Sequence, residues 1–391
     1  MKNFDYFFPT KMVFGIGKFE TLGEEVAVLG KRAMIVSYSG NSLAGLVDKA
    51  ADMLKKNGVT PIIFNEVNIN PDRKIVNRGR DLARQEKCDV IIGLGGGSPM
   101  DVAKAIAVVA VDNADIWKIF EGQPIIQRPL PMVAIPTTAG TGSEATQFVV
   151  ISDHEQHRKE GFARHQFYPT LSILDPLLTV SLPPAITAAT GMDVLTHGIE
   201  AYTCRAATVA TDIYAVEAIQ LAAHYLRQAV YCGSDLEARS KMLWANTLAG
   251  MAITQSDTSL AHVIGEAVGA VYDTPHGLSV ALALPAVMEF NCVANPEKYA
   301  HITRLMGEDV NGLSVREAAL KSAACVRNLI SDLGLPHGLA SLGVSDLTEV
   351  MELVNRPGMD CASPRPANSQ DFEKLVQGSL SPAMSYWEFA N

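Results

Sequence analysis

Asp89-Val-Ile-Ile-Gly-Leu-Gly95-Gly96-Gly97-Ser98-Pro99-Met100-Asp101-Val-Ala-Lys-Ala105 is the stretch on which the reading of this chain turns. Residues 90–92 have the length and branching of a strand buried on both faces of a parallel sheet. Ser98 and Pro99 precede apolar residues at helical spacing (Met100, Ala103, Ile106, Ala107). They read as a helix start, with Ser98 as cap and Pro99 at the first helical position. The three glycines then lie between a strand end and a helix N-terminus. Two readings are open there: bare backbone whose amides meet an anionic diphosphate, or a tight turn that needs glycine dihedrals. The order strand, glycines, cap, proline favours the diphosphate. Ser98 stands where the last glycine of G-x-G-x-x-G belongs, so an ordinary Rossmann domain does not follow.

Outward from this stretch, the first half of the chain alternates. Strand-like runs at 33–36, 61–64 and 132–135 and helix-like segments at 42–56, 72–85 and from Pro99 argue an α/β fold, a parallel sheet with flanking helices. The run at 132–135 ends in Pro136-Thr137-Thr138-Ala-Gly-Thr-Gly-Ser143, which is either a loop that bonds phosphate or ribose oxygens or a plain turn. After about Leu178 strand-like runs largely vanish. Helical periodicity covers 185–204, 211–231, 236–254, 259–271, 278–291 and 315–333, and shorter helices are expected at 345–354 and 369–380. The expected division is an α/β dinucleotide-binding domain over 1–180 and an all-α domain over 181–391.

Bulk properties narrow the function. In 391 residues, 48% hydrophobic and 19% charged side chains describe a globular chain with real cores. A net charge of −10 disfavours nucleic acid as a partner. No apolar run approaches the length of a membrane span, and the first residues carry no long apolar segment of a signal peptide. Six scattered cysteines without C-x-x-C spacing read as reduced thiols. A cytoplasmic enzyme is the expectation.

The second half holds the candidate metal chemistry. Asp193 and His197 stand four apart on an expected helix, which puts them on one face at roughly 5–6 Å between Cβ atoms. His262 sits among small and apolar residues, and His276 precedes Gly277 at a loop-to-helix junction. Singly, these are core histidines and a helix ion pair. Together, one carboxylate and three imidazoles suit a divalent cation. The residues alone leave both readings open.

Over nearly its full length the chain resembles the iron-containing (group III) alcohol dehydrogenase family. The resemblance rests on Phe8-Pro9-Thr10…Phe14-Gly15, Gly95-Gly-Gly-Ser98-Pro-Met-Asp101, Pro136-Thr-Thr-Ala-Gly-Thr-Gly-Ser-Glu144, Ala189-Thr-Gly-Met-Asp193…His197-Gly-Ile-Glu200 and Pro275-His276-Gly277. It implies a dehydroquinate synthase-like fold and a catalytic role for the helical domain. It maps a divalent metal, usually Fe2+ and sometimes Zn2+, onto Asp193, His197, His262 and His276. It places NAD or NADP between the domains, with Gly95, Gly96, Gly97, Ser98 and Asp101 at the diphosphate. Thr137, Thr138 and Ser143 would line the same cofactor, and Lys159 falls where relatives carry a cofactor-side lysine. The implied reaction is hydride transfer between the nicotinamide and a small alcohol or aldehyde, with the ion's charge favouring the developing alkoxide. The family habit also implies a homodimer or higher homo-oligomer.

Two positions depart from the family pattern. Glu266, four residues after His262, replaces a histidine assigned to proton relay. Its apolar neighbours argue that it is buried, and the expectation is a catalytic role beside His262. Tyr38 stands where NAD-using members often carry an aspartate for the ribose 2′-OH, which points toward NADP. Two other readings share the fold: a dehydroquinate-synthase-like lyase and a glycerol-dehydrogenase-like polyol oxidoreductase. The lyase would need a dense basic cluster for its charged substrate, and the sequence shows none near the expected cofactor loops.

Overall fold

Ala33, Met34, Ile35 and Val36, and likewise Val90, Ile91 and Ile92, have no solvent exposure. They form the middles of β2 (Arg32–Tyr38) and β4 (Val90–Gly95). The computed structural model describes residues 2–112, 114–153 and 158–381. In it these strands join β1 (Lys11–Phe14), β3 (Thr60–Val67), β5 (Met132–Pro136) and β8 (Leu171–Leu174) in a six-stranded sheet. The order is β1-β8-β5-β4-β2-β3 and every pairing is parallel.

Because successive side chains point to opposite faces, each strand feeds two cores. Met34, Ile91 and Ala134 pack with residues of helices Arg73–Gln85 and Gly97–Asp112. Ala33, Ile35, Ile92 and Val133 pack with residues of helices Leu22–Ala27 and Ala44–Lys56. The chain leaves β2 for β3 on one side and returns to β4 on the other. That reversal sets the carboxyl ends of β2 and β4 side by side, so Tyr38 and Gly95 become neighbours. Open α/β sheets bind ligands at such a switch point.

Local starts follow the expected chemistry with one correction. Asp72 caps the helix Arg73–Gln85, its carboxylate accepting from the Ile75 N–H at 3.0 Å. Ser98, expected as a cap, is instead inside the helix Gly97–Asp112, whose first turn closes by Met100 N–H donating to Gly96 O. Pro99 fits there because N–H groups of a first turn have no helical acceptor. Strands β1 and β8, four residues each, and the antiparallel hairpin of β6 (Phe148–Asp153) and β7 (Arg158–Ala163) were not expected from the sequence. Strands β1 and β8 are too short to show a period and β7 is too polar, whereas β6 carries the apolar run 148–151.

Residues 8–138 and 142–180 make up this unit, and residues 2–7, 139–141 and 181–381 make up a second. The long elements of the second unit are helices: Pro184–Thr203, Val209–Tyr231, Leu236–Ser256, Leu260–Tyr272, His276–Asn291, Pro296–Leu305, Val315–Asp332, Thr348–Val354 and Ser369–Leu380. Pro296–Leu305 is a short and mostly polar helix whose sequence carries too little apolar period to announce it. Pro184–Thr203 is buried over most of its length, packed by Val209–Tyr231, Leu236–Ser256 and His276–Asn291. An apolar helix covered on several sides needs no polar stripe. Gly277 permits one close crossing: a Cβ there would lie 2.5 Å from Ala189 O and 3.2 Å from Asp193 Cβ. Its bare backbone lets the start of His276–Asn291 rest against Pro184–Thr203. Among the described residues, no helix is long and apolar enough to cross a membrane.

Candidate functional site

The helical unit gathers titratable groups that the sequence scatters over 84 positions, from Asp193 to His276. Asp193, His197 and Glu200 share one face of Pro184–Thr203, at spacings of four and three. His262 is in the first turn of Leu260–Tyr272, and His276 is the first residue of His276–Asn291. Asp193 Oδ1 lies 3.5 Å from His262 Nε2, 3.8 Å from His276 Nε2 and 3.8 Å from His197 Nδ1. Ligand atoms of Asp193, His262 and His276 all fall within 4.8 Å of one another. His197 stands at their side, its Nε2 2.9 Å from His262 Nε2 and its ring stacked on that of His262.

Asp193, His197 and His262 are buried, whereas the His276 side chain is 34% exposed. Asp193 Oδ1 has no hydrogen bond among the described residues. A buried carboxylate oxygen left this way is costly, and a cation answers the cost. The donor set of one carboxylate oxygen with imidazole nitrogens fits a divalent first-row metal.

The charge balance points the same way. Burial alone would push the Asp193 carboxyl up, but the imidazoles of His197, His276 and His262 outweigh it and hold it down at about 2. Burial pushes His197 down to about 4. Burial also opposes a charge on His262, yet Asp193 and Glu200 overcome it and raise the ring to about 10. The pocket thus favours one positive charge among its carboxylates and imidazoles.

In the sheet unit, Gly95 has a φ of 152°, which an L side chain rarely adopts, so the turn does require glycine there. Gly96 is needed for another reason. A Cβ on it would come 2.9 Å from the Tyr38 hydroxyl and 3.3 Å from Thr138 Oγ1. Two hydroxyls thus converge on a bare peptide at the start of a helix, a concave arrangement suited to phosphate oxygens. Burial raises the Tyr38 phenol above its ordinary range, although a hydrogen bond with Ser98 works against this. Thr137 continues β5, its N–H donating to Gly95 O at 2.8 Å.

Asp101 and Ser143 are turned toward each other. The Ser143 hydroxyl donates to Asp101 Oδ1 at 2.7 Å, and the Val150 N–H donates to Oδ2 at 3.0 Å. Lys104, buried on the same helix, lies 3.9 Å from Asp101 and donates to Phe148 O at 2.9 Å. Burial lowers Lys104 to about 8. These groups tie the glycine turn's helix to the loop after β5. The backbone of Lys159 pairs with Ser152 in the hairpin, but its side chain lies outside the described residues.

One expectation needs correction. Glu266 is exposed, not buried. Leu260, Ala261, Ile264, Gly265 and Val268 make the covered face of its helix, while Val263 and Gly269 are only partly covered and Ala270 is exposed. Apolar character on the outer face had masked which side the helix buries. Two residues outside the expected set also matter. Lys104 is a lysine in an otherwise apolar helix, a signal visible in the sequence. Glu200 bonds His262 at 2.6 Å, and only its place one turn after His197 hinted at that.

Two family descriptions match the chain: Iron-containing alcohol dehydrogenase over residues 9–176, and Fe-containing alcohol dehydrogenase family, C-terminal, over residues 187–380. A 1,3-propanediol dehydrogenase of Klebsiella pneumoniae is 40% identical over 380 residues, 96% of this chain and 98% of that protein. An NAD-dependent methanol dehydrogenase of Bacillus methanolicus is 37% identical, covering 96% of this chain and 100% of that one. A crystal structure of a 1,3-propanediol oxidoreductase superposes with a TM-score of 0.93 at 39% identity, over 97% of this chain and 100% of that one. Fold and relatives together describe an oxidoreductase that uses a nicotinamide dinucleotide and a metal ion. The chain belongs to the iron-containing alcohol dehydrogenase family.

Proposed function

We propose that this enzyme interconverts a small primary alcohol or diol and its aldehyde, with one divalent ion held by Asp193, His197, His262 and His276. The observation that carries the proposal is the buried Asp193 Oδ1, faced by three imidazoles and without a hydrogen bond among the described residues. When bound, the ion would supply a Lewis acid for the alcohol oxygen and the nicotinamide a hydride acceptor or donor. The protein's own residues supply position and dryness. Asp193 brings the negative charge of the donor set, and the buried rings of His197 and His262 keep water from it. His276, the least buried donor, marks the side open to a small hydroxyl compound.

On the cofactor side, Gly95, Gly96 and Gly97 present backbone to the diphosphate, with Ser98, Tyr38, Thr137 and Thr138 around them. Asp101 and Ser143 hold that turn in shape. Tyr38 brings no carboxylate to repel a 2′-phosphate, so NADP is accepted at least as well as NAD. The same reading takes Fe2+ or Zn2+ as the ion, and a cytoplasmic homo-oligomer as the working form.

The test is a set of short alcohols and diols, methanol and 1,3-propanediol included, given with each nicotinamide to anaerobically metal-loaded protein. Alcohol-dependent reduction of the nicotinamide is expected, with NADP no worse than NAD. Absence of reduction with every alcohol would remove the proposed reaction. A preference for NAD beyond about tenfold, or ~1.4 kcal/mol, would remove the cofactor assignment alone.

A further inference from the structure

Glu200 is buried, and both of its carboxylate oxygens are occupied. Oε1 accepts from the Ala261 N–H at 2.7 Å, and Oε2 accepts from the Ser259 N–H at 2.9 Å and from His262 Nδ1 at 2.6 Å. Ser259 is the N-cap of Leu260–Tyr272, yet its side chain makes no capping bond. A carboxylate from a neighbouring helix therefore does the capping, favoured by the positive end of the helix dipole.

The third bond has a chemical consequence. A carboxylate only accepts, so the Nδ1 proton of His262 is committed to Glu200. In the neutral ring that a cation requires, the nitrogen with a lone pair to offer is then Nε2, the atom that lies 3.5 Å from Asp193 Oδ1. We infer that Glu200 is the positioning residue of this centre: by holding Nδ1–H of His262 it turns Nε2 toward Asp193 and sets the affinity for a divalent ion. The inference rests on the metal reading proposed above. Carboxylates that hold the far nitrogen of a ligating histidine typically change metal affinity by about 10–100-fold.

Glu200→Gln is the discriminating variant because it keeps shape and size. An amide cannot satisfy all three donors. Either its NH2 group faces the Ala261 N–H, or it faces His262 Nδ1 and drives the ring proton to Nε2. The expected result is a 10–100-fold weaker zinc dissociation constant, measured by chelator competition on protein with native circular dichroism. Zinc-loaded wild type should also show a low-field Nδ1–H proton resonance from His262, moved upfield in the variant where a neutral amide oxygen accepts and lost where the NH2 group faces the ring. Ser259→Asp added to Glu200→Gln supplies a cap from the helix's own N-terminus. It should recover thermal stability and leave zinc affinity weak.

Recovery of zinc affinity in the double variant would reduce Glu200 to a cap, and equal affinity in Glu200→Gln and wild type would end the inference. Wild type that binds no divalent ion would instead end the metal reading beneath it. If Glu200→Gln does not fold, the zinc-loaded wild type decides alone, and a His262 ring bound through Nδ1 contradicts the inference.

Discussion

His262→Ala is expected to abolish metal retention and turnover together, with kcat down at least about a thousandfold, or ~4 kcal/mol of transition-state stabilisation. His262 stands nearest to Asp193 of the three imidazoles, at 3.5 Å, and is buried. Its loss leaves Asp193 facing only His197 and His276, and opens a cavity that the stacked His197 ring cannot fill. Surrounding helices are tightly packed, so the gap does not close by collapse. Metal content by elemental analysis and alcohol-dependent nicotinamide reduction are the paired readouts. A folded His262→Ala protein with full metal occupancy and full rate would remove His262 from the centre.

Gly96→Val should spare the metal and weaken the cofactor. Cofactor Kd is expected to rise about a hundredfold, or ~2.7 kcal/mol, with metal content unchanged because the donors lie in the other unit. The backbone of Gly96 is not left-handed, unlike that of Gly95, so valine does not strain the turn as such. Its methyl groups would enter the space in front of the helix start, where the Cβ alone already comes 2.9 Å from the Tyr38 hydroxyl. That contact is with the end of a side chain that can swing aside, so the variant is expected to fold. Unaltered nicotinamide affinity by fluorescence titration would show that the glycines serve only the turn.

The glycine turn shows how far sequence reasoning reaches. Strand end, glycines and helix start are local, so punctuation and periodicity located the helix start within two residues and the strand end within three. The sheet order was not local. Tyr38 reaches Gly96 because β2 and β4 are neighbours across the chain reversal, which no window of residues reveals. Strands β1 and β8 come from opposite ends of the unit's sequence and pair with each other at one edge of the sheet, and four residues carry too little pattern to announce either.

The centre in the helical unit divides in the same way. Asp193 and His197 share a helix face by spacing alone; His262 and His276 were candidates by residue type, and the family resemblance joined the four. Glu200 was in the quoted motif, but its work depends on a helix sixty residues further on. Glu266 is exposed where burial was expected, because an apolar helix can still leave one side open. Helical periodicity says which residues share a side, and only the packing says which side is covered.

The most direct test is anaerobic titration of chelator-stripped wild type with Fe2+, following alcohol-dependent nicotinamide reduction and bound metal together. The account predicts a negligible rate without metal and a linear rise that levels off at one ion per chain. Full rate in protein shown to be metal-free would contradict it.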